Sequence, residues 1–294
     1  MSLPQVYLVD ASVYIFRAWF SMPNEWTNIQ GEPTNAVYGF SGFLCSLLEQ
    51  TSAQHMAIAF DESLSSSYRN EIYPEYKANR DPAPEDLKRQ FQWARDVAQS
   101  MGLSCYSDPR YEADDLIGTL ADYWRERGHP VCVVSSDKDL AQLIGAGDYW
   151  WDFSRNQKLG TDQLFKKFGV LPAQMADYLA LTGDAVDNIP GVPGIGPKSA
   201  AALLAHFGDM DSMYARLEEV PFLSLRGAKS IHKKLLDHRS AAELARQLTL
   251  ISRDVASALA TPDITRGAVD TAMLNRLFDE LQFGGMLRQR CLRA

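Results

Sequence analysis

The chain has 294 residues, of which 46% are hydrophobic, and its formal net charge is −8. This length can bury a large core, as one domain or as a domain with a smaller lobe, and no apolar run of about 18 residues is present that could span a membrane. The acidic excess argues against a nucleic-acid partner, unless many acids gather around bound cations and leave the remaining surface neutral or basic.

Cysteine and histidine show no metal-binding spacing. The four cysteines are not paired at zinc or redox spacing and the five histidines are scattered, so we expect reduced thiols, no zinc site and a cytoplasmic protein. Cys45, Cys105 and Cys132 lie in apolar runs and are expected to be buried. The opening residues, MSLPQVYLVDAS, lack the basic segment and apolar run of a signal peptide and predict a first strand.

The first half of the chain alternates strand-like and helix-like segments, which is typical of an α/β domain with a mostly parallel sheet. Strands are predicted at residues 5–9, 55–60, 103–106, 130–135 and 148–152. Helices are predicted at 34–50 and 113–127, and the second half of the chain is mainly helical. Residues 62–84 are polar and contain three prolines, which predicts an exposed excursion from the sheet.

Acidic residues follow the predicted strands. Asp10, Asp61 and Asp137 each lie at or just after a strand end, where parallel sheets bind their ligands, although a single Asp there more often caps a helix or begins a turn. Further acids begin the helix at 113 or lie two or three residues apart in turns, where they repel one another unless a cation lies between them. The complete set is Asp10, Asp61, Glu112, Asp114, Asp115, Asp137, Asp139, Asp184 and Asp187.

Nine carboxylates without nearby His or Cys are hard oxygen ligands that suit Mg²⁺ or Mn²⁺. One such ion keeps several waters and needs few protein ligands, so we expect two ions, the arrangement that clamps the attacking and leaving oxygens in phosphoryl transfer. Taking these nine from the 37 acidic residues leaves 28, against 29 lysines and arginines. The net charge is therefore compatible with a nucleic-acid substrate.

A glycine- and proline-rich segment at 191–198, GVPGIGPK, precedes a predicted helix at 199–207. Glycine allows close approach of the backbone, and Pro197 is suited to the first turn of a helix whose free N–H groups face the loop. This layout predicts a helix–hairpin–helix that holds a DNA phosphate through Gly191, Gly194, Gly196 and Lys198, and the alternative is a simple tight turn.

Basic and aromatic residues alternate in the excursion. Arg69, Lys77 and Arg80 are interleaved with tyrosines that include Tyr76, a combination that suits single-stranded nucleic acid. The alternative is a solvated loop, because loops are normally polar.

The strings VDASVYIFRAWF, GEPTNAVYGF, YRNEIYPEYKANR, EADDLIGTLA, SSDKDLAQL and LTGDAVDNIPGVPGIGPKSAAALL resemble those of the 5′-nuclease family. The likeness is closest to the amino-terminal 5′→3′ exonuclease domain of bacterial DNA polymerase I and its free-standing relatives. It implies a metal-dependent 5′→3′ exonuclease and flap endonuclease that acts on DNA with 5′ ends or flaps, and we expect a monomer.

The resemblance also implies an architecture. It predicts a PIN-like α/β core at 1–165 with a helical arch at about 62–95. A helical lobe at 166–294 would follow, with a helix–three-turn–helix at about 175–207. Whether the chain is a free-standing enzyme or a fragment is left open.

Residue roles follow from the same resemblance. The first metal site would use Asp10, Asp61, Glu112 and Asp114, and the second Asp115, Asp137, Asp139, Asp184 and Asp187. Lys77 and Arg80 would act on the scissile phosphate, and Arg17 would lie near the phosphate path. Arg69 and Tyr76 are further DNA-contact candidates, and backbone carbonyls of Ile189, Val192 and Ile195 are candidates for a potassium ion.

Other functions fit parts of the pattern. A module that binds branched DNA without cutting would not need the complete ligand set. A HAD-type phosphatase needs a second Asp two residues after the first strand's Asp, whereas Asp10 is followed by Ala11 and Ser12. A PIN-type ribonuclease would share the fold but lack the hairpin.

Overall fold

The computed structural model of the chain describes residues 3–62 and 67–294. A six-stranded sheet lies at its centre, and its strands follow the order β3-β2-β1-β4-β5-β6. In chain order they are β1 (Val6–Asp10), β2 (His55–Ala59), β3 (Ser104–Tyr106), β4 (Val131–Val134), β5 (Tyr149–Asp152) and β6 (Gln157–Leu159). The first five pair in parallel, and β6 pairs antiparallel to β5.

The sheet has a topological switch point between β1 and β4. The chain leaves β1, builds β2 and β3 on one side, and then returns to place β4 on the other side of β1. Ligands of open parallel sheets bind in the crevice beyond the carboxyl ends of the strands at such a point. Asp10 is the last residue of β1, and Asp137 lies three residues after β4. These two predicted acids therefore lie at the strand ends that border the crevice.

Both faces of the sheet are covered, because alternate residues of β1 are buried on opposite sides. Val6 and Leu8 belong to one hydrophobic core, whereas Tyr7 and Val9 belong to the other. Helices of the first half are α1 (Ala11–Ser21), α2 (Asn35–Thr51), α3 (Tyr68–Ile72), α4 (Glu85–Ser100) and α5 (Ala113–Glu126). The face that carries Tyr7 packs against α1, α2 and α4, and the opposite face packs against α5.

The second half is helical. Its helices are α6 (Thr161–Phe168), α7 (Met175–Thr182), α8 (Pro197–Phe207), α9 (Met210–Ala215), α10 (Ala228–Asp237), α11 (Arg239–Thr249), α12 (Ala256–Ala260), α13 (Thr271–Glu280) and α14 (Gly285–Arg293). Short 3₁₀ helices span Asp139–Leu143, Phe153–Arg155, Pro172–Gln174 and Leu217–Phe222. Most of these helices extend the α5 core, whereas α13 and α14 return to pack on α4 and α2. No helix in the described ranges has the length and apolar run needed to cross a membrane.

The predicted α/β fold with its parallel sheet and helical second half is confirmed, and the ends of the predicted strands are shifted by at most one residue. The predicted arch at about 62–95 is described in part, since 63–66 lie outside the described residues. Its described part holds α3 and a run of turns at 74–79. From Glu85 onward it is α4, which buries Leu87 and Phe91, so this portion belongs to the core of the sheet.

The cysteines are free thiols, as expected. Cys105 is only half-buried, however, because β3 lies at the edge of the sheet. Cys45 on α2 and Cys291 on α14 are buried, and their sulfurs lie 2.9 Å apart. This contact joins the last helix to the core that contains Tyr7 and Val9.

Candidate metal centre

Asp10 and Ser135 join the two strands at the switch point. Asp10 caps α1 by accepting the Val13 N–H at 3.4 Å, and its other oxygen accepts the Ser135 hydroxyl at 2.8 Å. The Asp10 side chain is nearly inaccessible, with 4% of its residue surface exposed. Burial, followed by the charge of Asp61, raises the pKa of Asp10 to about 7. A nearby positive charge would favour the ionised form of a carboxylate in this position.

Asp61 connects β2 to the start of α5. One of its oxygens accepts the Ser12 hydroxyl at 2.6 Å, and the other accepts the Ala113 N–H at 2.9 Å. The beginning of α5 is thereby drawn to the same sheet edge, and Glu112 and Asp114 come with it. Burial, then the charges of Asp137 and Asp10, raise the pKa of Asp114 well above its usual range. The helix start is therefore part of the same electrostatic cluster as the strand ends.

Asp137 and Asp139 are held by the turn after β4. The Asp137 N–H donates to the Ser135 hydroxyl at 3.0 Å, and the Asp139 N–H donates to Asp137 at 2.9 Å. Burial, followed by the charge of Asp137, raises the pKa of Asp139 to about 7. The Oδ1 atom of Asp139 is buried without a hydrogen bond, because the Lys138 amine lies 3.3 Å away without the alignment to donate.

Asp184 and Asp187 enter from the segment between α7 and α8. The backbones of Asp184 and Ile189 exchange hydrogen bonds of 3.0 and 2.8 Å, which closes the turn that carries both acids. The Lys138 amine donates to Asp184, and the Arg80 guanidinium donates to Asp187. The same Lys138 amine lies 3.3 Å from Asp139, so this turn faces the acids that follow β4.

Lys77 bridges the two sides of the cluster. Its amine lies 2.8 Å from Glu112 and 3.9 Å from Asp187, and its backbone N–H donates to the Asp187 carbonyl at 2.9 Å. Its φ of 56° is in the left-handed region, which a non-glycine residue occupies at a cost. Burial alone would lower the pKa of Lys77, but Glu112 and Asp187 outweigh that effect and raise it. The amine is therefore a permanent positive charge held over the cluster.

The donor set fits divalent cations. Across residues 3–62 and 67–294, no three His, Cys, Asp or Glu side chains are arranged to hold an ion in their present rotamers, because Lys77, Arg80 and Lys138 occupy several of the carboxylates. Nevertheless, burial and mutual repulsion raise the pKa of several acids, and Asp139 keeps an unsatisfied buried oxygen. Oxygen ligands in excess of the local positive charge are what a hard divalent ion requires.

The structure brings eight of the nine predicted acids together and corrects the ninth. Asp115 is 0% exposed, and it accepts two hydrogen bonds from Arg69 at 2.8 and 2.9 Å. It also accepts the backbone N–H groups of Glu112 at 3.1 Å and Ser252 at 2.8 Å. These four bonds use the acceptor positions of a carboxylate, so the expectation that Asp115 is a metal ligand is wrong in this structure.

Two predicted DNA contacts are also corrected. Arg69 is 2% exposed and is enclosed by Asp115, Glu112 and backbone carbonyls. Tyr76 is 4% exposed, and its hydroxyl lies 3.1 Å from Glu112 and 3.3 Å from Asp187, so that it can donate its one proton to either carboxylate. Neither side chain offers a surface to DNA, because the segment 67–84 folds down onto the acids instead of standing free.

The remaining candidates lie on the surface or in the hairpin. Arg17 on α1, Lys198 at the start of α8, Gly194 and Gly196 are exposed. Gly191 has a packing role, since a Cβ there would lie 2.3 Å from the Gly183 nitrogen.

The three residues proposed to hold potassium are buried in the hairpin core. The Ile189 carbonyl accepts the Asp184 N–H at 3.0 Å, and the Val192 carbonyl accepts the Ile195 N–H at 3.0 Å. Potassium binding through these carbonyls stays a prediction.

Sequence reasoning missed three polar residues of the site. Ser12 and Ser135 hold Asp61 and Asp10, and Lys138 pairs with Asp184. Each lies within two residues of a predicted acid, and each can donate a hydrogen bond to a carboxylate. Their nearness to the acids in the sequence could have identified them as part of the site.

Comparisons with known proteins agree over most of the chain. The family description "5'-3' exonuclease, N-terminal resolvase-like domain" matches residues 5–169, and "5'-3' exonuclease, C-terminal SAM fold" matches residues 170–272. DNA polymerase I of Pseudomonas aeruginosa is 38% identical over 288 residues, which cover 98% of this chain and 31% of that protein. A 5'-3' exonuclease of Buchnera aphidicola is 35% identical over 261 residues, which cover 88% of this chain and 90% of that protein.

Solved structures share the fold. The T5 5'-exonuclease with bound zinc ions has a TM-score of 0.67 at 18% identity, over 98% of this chain and 97% of that one. The catalytic core of Rad2 in complex with DNA substrate has a TM-score of 0.62 at 17% identity, over 100% and 93%. This chain spans about a third of the length of the DNA polymerase I relatives. Given the matches to both domain descriptions and to the Buchnera protein, the chain belongs to the 5'-3' exonuclease family.

Proposed function

We propose that this chain is a divalent-metal-dependent 5′→3′ exonuclease and 5′-flap endonuclease that hydrolyses DNA phosphodiester bonds. The observation that carries this proposal is the convergence of eight acids from three strand ends, one helix start and one turn at the switch point of the sheet. Two relatives support the proposal, since the Buchnera protein is a 5'-3' exonuclease and the Rad2 core is bound to a DNA substrate.

Two Mg²⁺ or Mn²⁺ ions would be held by two neighbouring groups of acids. The first group is Asp10, Asp61, Glu112 and Asp114, and the second is Asp137, Asp139, Asp184 and Asp187. When bound, such a pair of ions lowers the pKa of a water and stabilises charge on the attacking and leaving oxygens. The protein contributes rigid carboxylates, oriented by Ser12, Ser135 and the start of α5.

Lys77 and Arg80 act on the phosphate. Both are now paired with Glu112 or Asp187, and both lie at the solvent side of the cluster. Divalent charge on those acids would weaken the two ion pairs and leave the amine and guanidinium to stabilise charge that develops on phosphoryl oxygens. The left-handed backbone at Lys77 fixes the position from which its amine acts.

The hairpin between α7 and α8 would hold the duplex. Exposed Lys198, Gly194 and Gly196 present a charge and accessible backbone to a phosphate without reading bases. A potassium ion on the carbonyls of Ile189, Val192 and Ile195 would add to this grip. Arg17 would contact the phosphate path near the site, and the enzyme would act as a monomer on DNA with a 5′ end or flap.

Cleavage of a labelled 5′-flap substrate tests the proposal. We expect cutting at the flap junction with Mg²⁺ and none with EDTA. Asp137→Asn and Asp184→Asn should lower the rate by orders of magnitude, whereas Asp162→Asn, which changes an exposed acid of α6, should not. A wild-type protein that binds flaps and never cuts them would instead establish a DNA-binding module, and preference for RNA would establish a ribonuclease.

A further inference from the structure

We propose that Arg69 is a positioning residue of this site, a buried guanidinium that holds the start of α5 against the segment 248–252 and thereby fixes the carboxylate of Glu112. The inference rests on the proposed function, because Glu112 is there assigned to the metal site. It replaces the DNA contact expected for Arg69, which burial makes impossible in this structure.

The guanidinium is fully occupied. Its Nε donates to the Leu248 carbonyl at 2.8 Å. One terminal nitrogen donates to Asp115 at 2.8 Å and Glu112 at 3.2 Å, and the other donates to Asp115 at 2.9 Å and the Leu250 carbonyl at 3.2 Å. Arginine has five N–H donors in a rigid plane, and all five are used here. The group therefore has one orientation, set by partners from two separate parts of the chain.

The carbonyls that Arg69 binds lie at the end of α11, where helical carbonyls lack partners within the helix. A cation at this end also interacts favourably with the helix dipole. Asp115 strengthens the same connection, since it accepts the Ser252 N–H. The segment 248–252 is thus joined to the start of α5 through both members of the ion pair.

The segment 248–252 reaches the other half of the site as well. The Gln142 amide donates to the Thr249 carbonyl at 3.0 Å and accepts the Ile251 N–H at 3.1 Å. Gln142 belongs to the 3₁₀ helix that begins at Asp139. One backbone segment therefore holds the start of α5 through Arg69 and the acids after β4 through Gln142, which sets the spacing between the two groups of acids.

Arg69 restricts the orientation of the Glu112 carboxylate. One of its oxygens accepts both Arg69 and the Tyr76 hydroxyl, and the other accepts Lys77. Without the guanidinium, that first oxygen keeps a single weak partner and the side chain gains alternative rotamers. A ligand carboxylate that is less well oriented binds its cation less tightly and places the phosphate less accurately.

The test uses Arg69→Lys, which keeps a positive charge beside Asp115 but loses the planar five-donor group. Arg69→Met/Asp115→Leu is the second variant, because removing both charges leaves no unpaired buried ion. Arg125→Lys is the matched control, since Arg125 lies at the opposite end of α5 and likewise binds a buried aspartate, Asp148, and a backbone carbonyl.

Three quantities are measured: the melting temperature, Mn²⁺ affinity by calorimetry without DNA, and kcat and KM for flap cleavage. For both Arg69 variants we expect folded proteins whose Mn²⁺ affinity falls at least threefold and whose kcat falls at least tenfold, with KM within twofold of wild type. Arg125→Lys should change the melting temperature alone.

A folded Arg69 variant with unchanged Mn²⁺ affinity and kcat would overturn the positioning role. A rise in KM without a change in kcat would also overturn the positioning role and would indicate that Arg69 contributes to DNA binding. If the double variant does not fold, the result for Arg69→Lys alone decides whether Arg69 is a positioning residue. Because Mn²⁺ binding needs no substrate, it tests Arg69 even where wild type fails to cut flaps.

Discussion

Lys138 donates a hydrogen bond to Asp184 and lies 3.3 Å from Asp139, so its amine occupies the region between two acids assigned to the second cation. The lysine comes from the turn after β4, whereas Asp184 comes from the hairpin segment after α7. It therefore joins the sheet edge to the helical half while neutralising part of the repulsion among the acids. A divalent ion that binds there must displace it.

Lys138→Met is expected to strengthen cation binding. At pH 8, above the pKa of about 7 of Asp139, removing the competing amine should raise Mg²⁺ affinity severalfold while lowering the melting temperature of the metal-free protein. Calorimetric titration checks the first effect and thermal unfolding in EDTA checks the second. Lys166→Met, on the exposed side of α6, serves as the control. Weaker Mg²⁺ binding by Lys138→Met would show that the amine supports the ion.

The raised pKa values of Asp10 and Asp139 predict an unusual pH dependence of stability. Both values are about 7 in the folded protein, above roughly 4 for an unfolded aspartate. The folded state then binds more protons between these values, so the stability of the metal-free protein should fall as pH rises from about 4 to 7 and change little above that. Divalent cations should reverse the loss, since they bind the ionised form.

Thermal unfolding in EDTA at pH 5.5 and at pH 8 measures this effect. We expect the melting temperature to be several degrees lower at the higher pH, and Mg²⁺ to restore it. The Asp10→Asn/Asp139→Asn variant should show a smaller difference, because two of the acids with a raised pKa no longer titrate. A metal-free wild type that becomes more stable over this range would contradict the prediction.

Ser135→Ala is expected to shift cation binding to higher pH. The Ser135 hydroxyl donates to the Asp10 carboxylate and lowers the pKa of Asp10, in opposition to burial. Removing it should raise that pKa further, so protons compete with Mn²⁺ over a wider range. Titrations at a series of pH values should show the midpoint of affinity moved upward. Ser100→Ala, which removes a hydroxyl bonded within α4, should leave the midpoint unchanged.

Gly191→Ala should destabilise the hairpin. An added Cβ would lie 2.3 Å from the Gly183 nitrogen and 2.4 Å from the Thr182 carbonyl carbon, and backbone atoms cannot move aside cheaply. We expect the free energy of unfolding to fall by about 2 kcal/mol, in the range of overpacked sites. Gly42→Ala in α2 has open space and should instead stabilise the protein by about 0.5–1 kcal/mol. Equal stability of the two variants in urea would refute the packing role of Gly191.

The sequence contained enough to place the strand-end acids, because parallel strands deliver their carboxyl ends to one edge. Asp10, Asp61 and Asp137 needed no knowledge of distant contacts. Arg69 and Tyr76 differ, since their surroundings are set by residues 179 and 111 positions away. A polar segment with basic and aromatic residues has the same local composition whether it contacts DNA or is buried against acids. Composition alone therefore could not distinguish the two environments.

Asp115 illustrates the same limit within a motif. Asp114 and Asp115 are adjacent, and no local pattern distinguishes them. On a helix, however, neighbours point about 100° apart, so one faces the acid cluster and the other faces the segment 248–252. Which neighbour faces the cations depends on how α5 packs, and that is a property of the whole fold.

Lys77→Met tests the role of the bridging amine. The substitution keeps side-chain length but removes the charge near Glu112 and Asp187, which we expect to act mainly on the transition state. Single-turnover cleavage of a flap should slow by at least about 100-fold, a loss typical of removing one group that stabilises developing charge, while the Kd for DNA should change by less than about threefold. Lys88→Met, which removes an exposed amine paired with Glu85 on α4, should change neither. A parallel loss of affinity and rate in Lys77→Met would mean that the amine binds substrate and transition state equally, which would assign Lys77 to DNA capture.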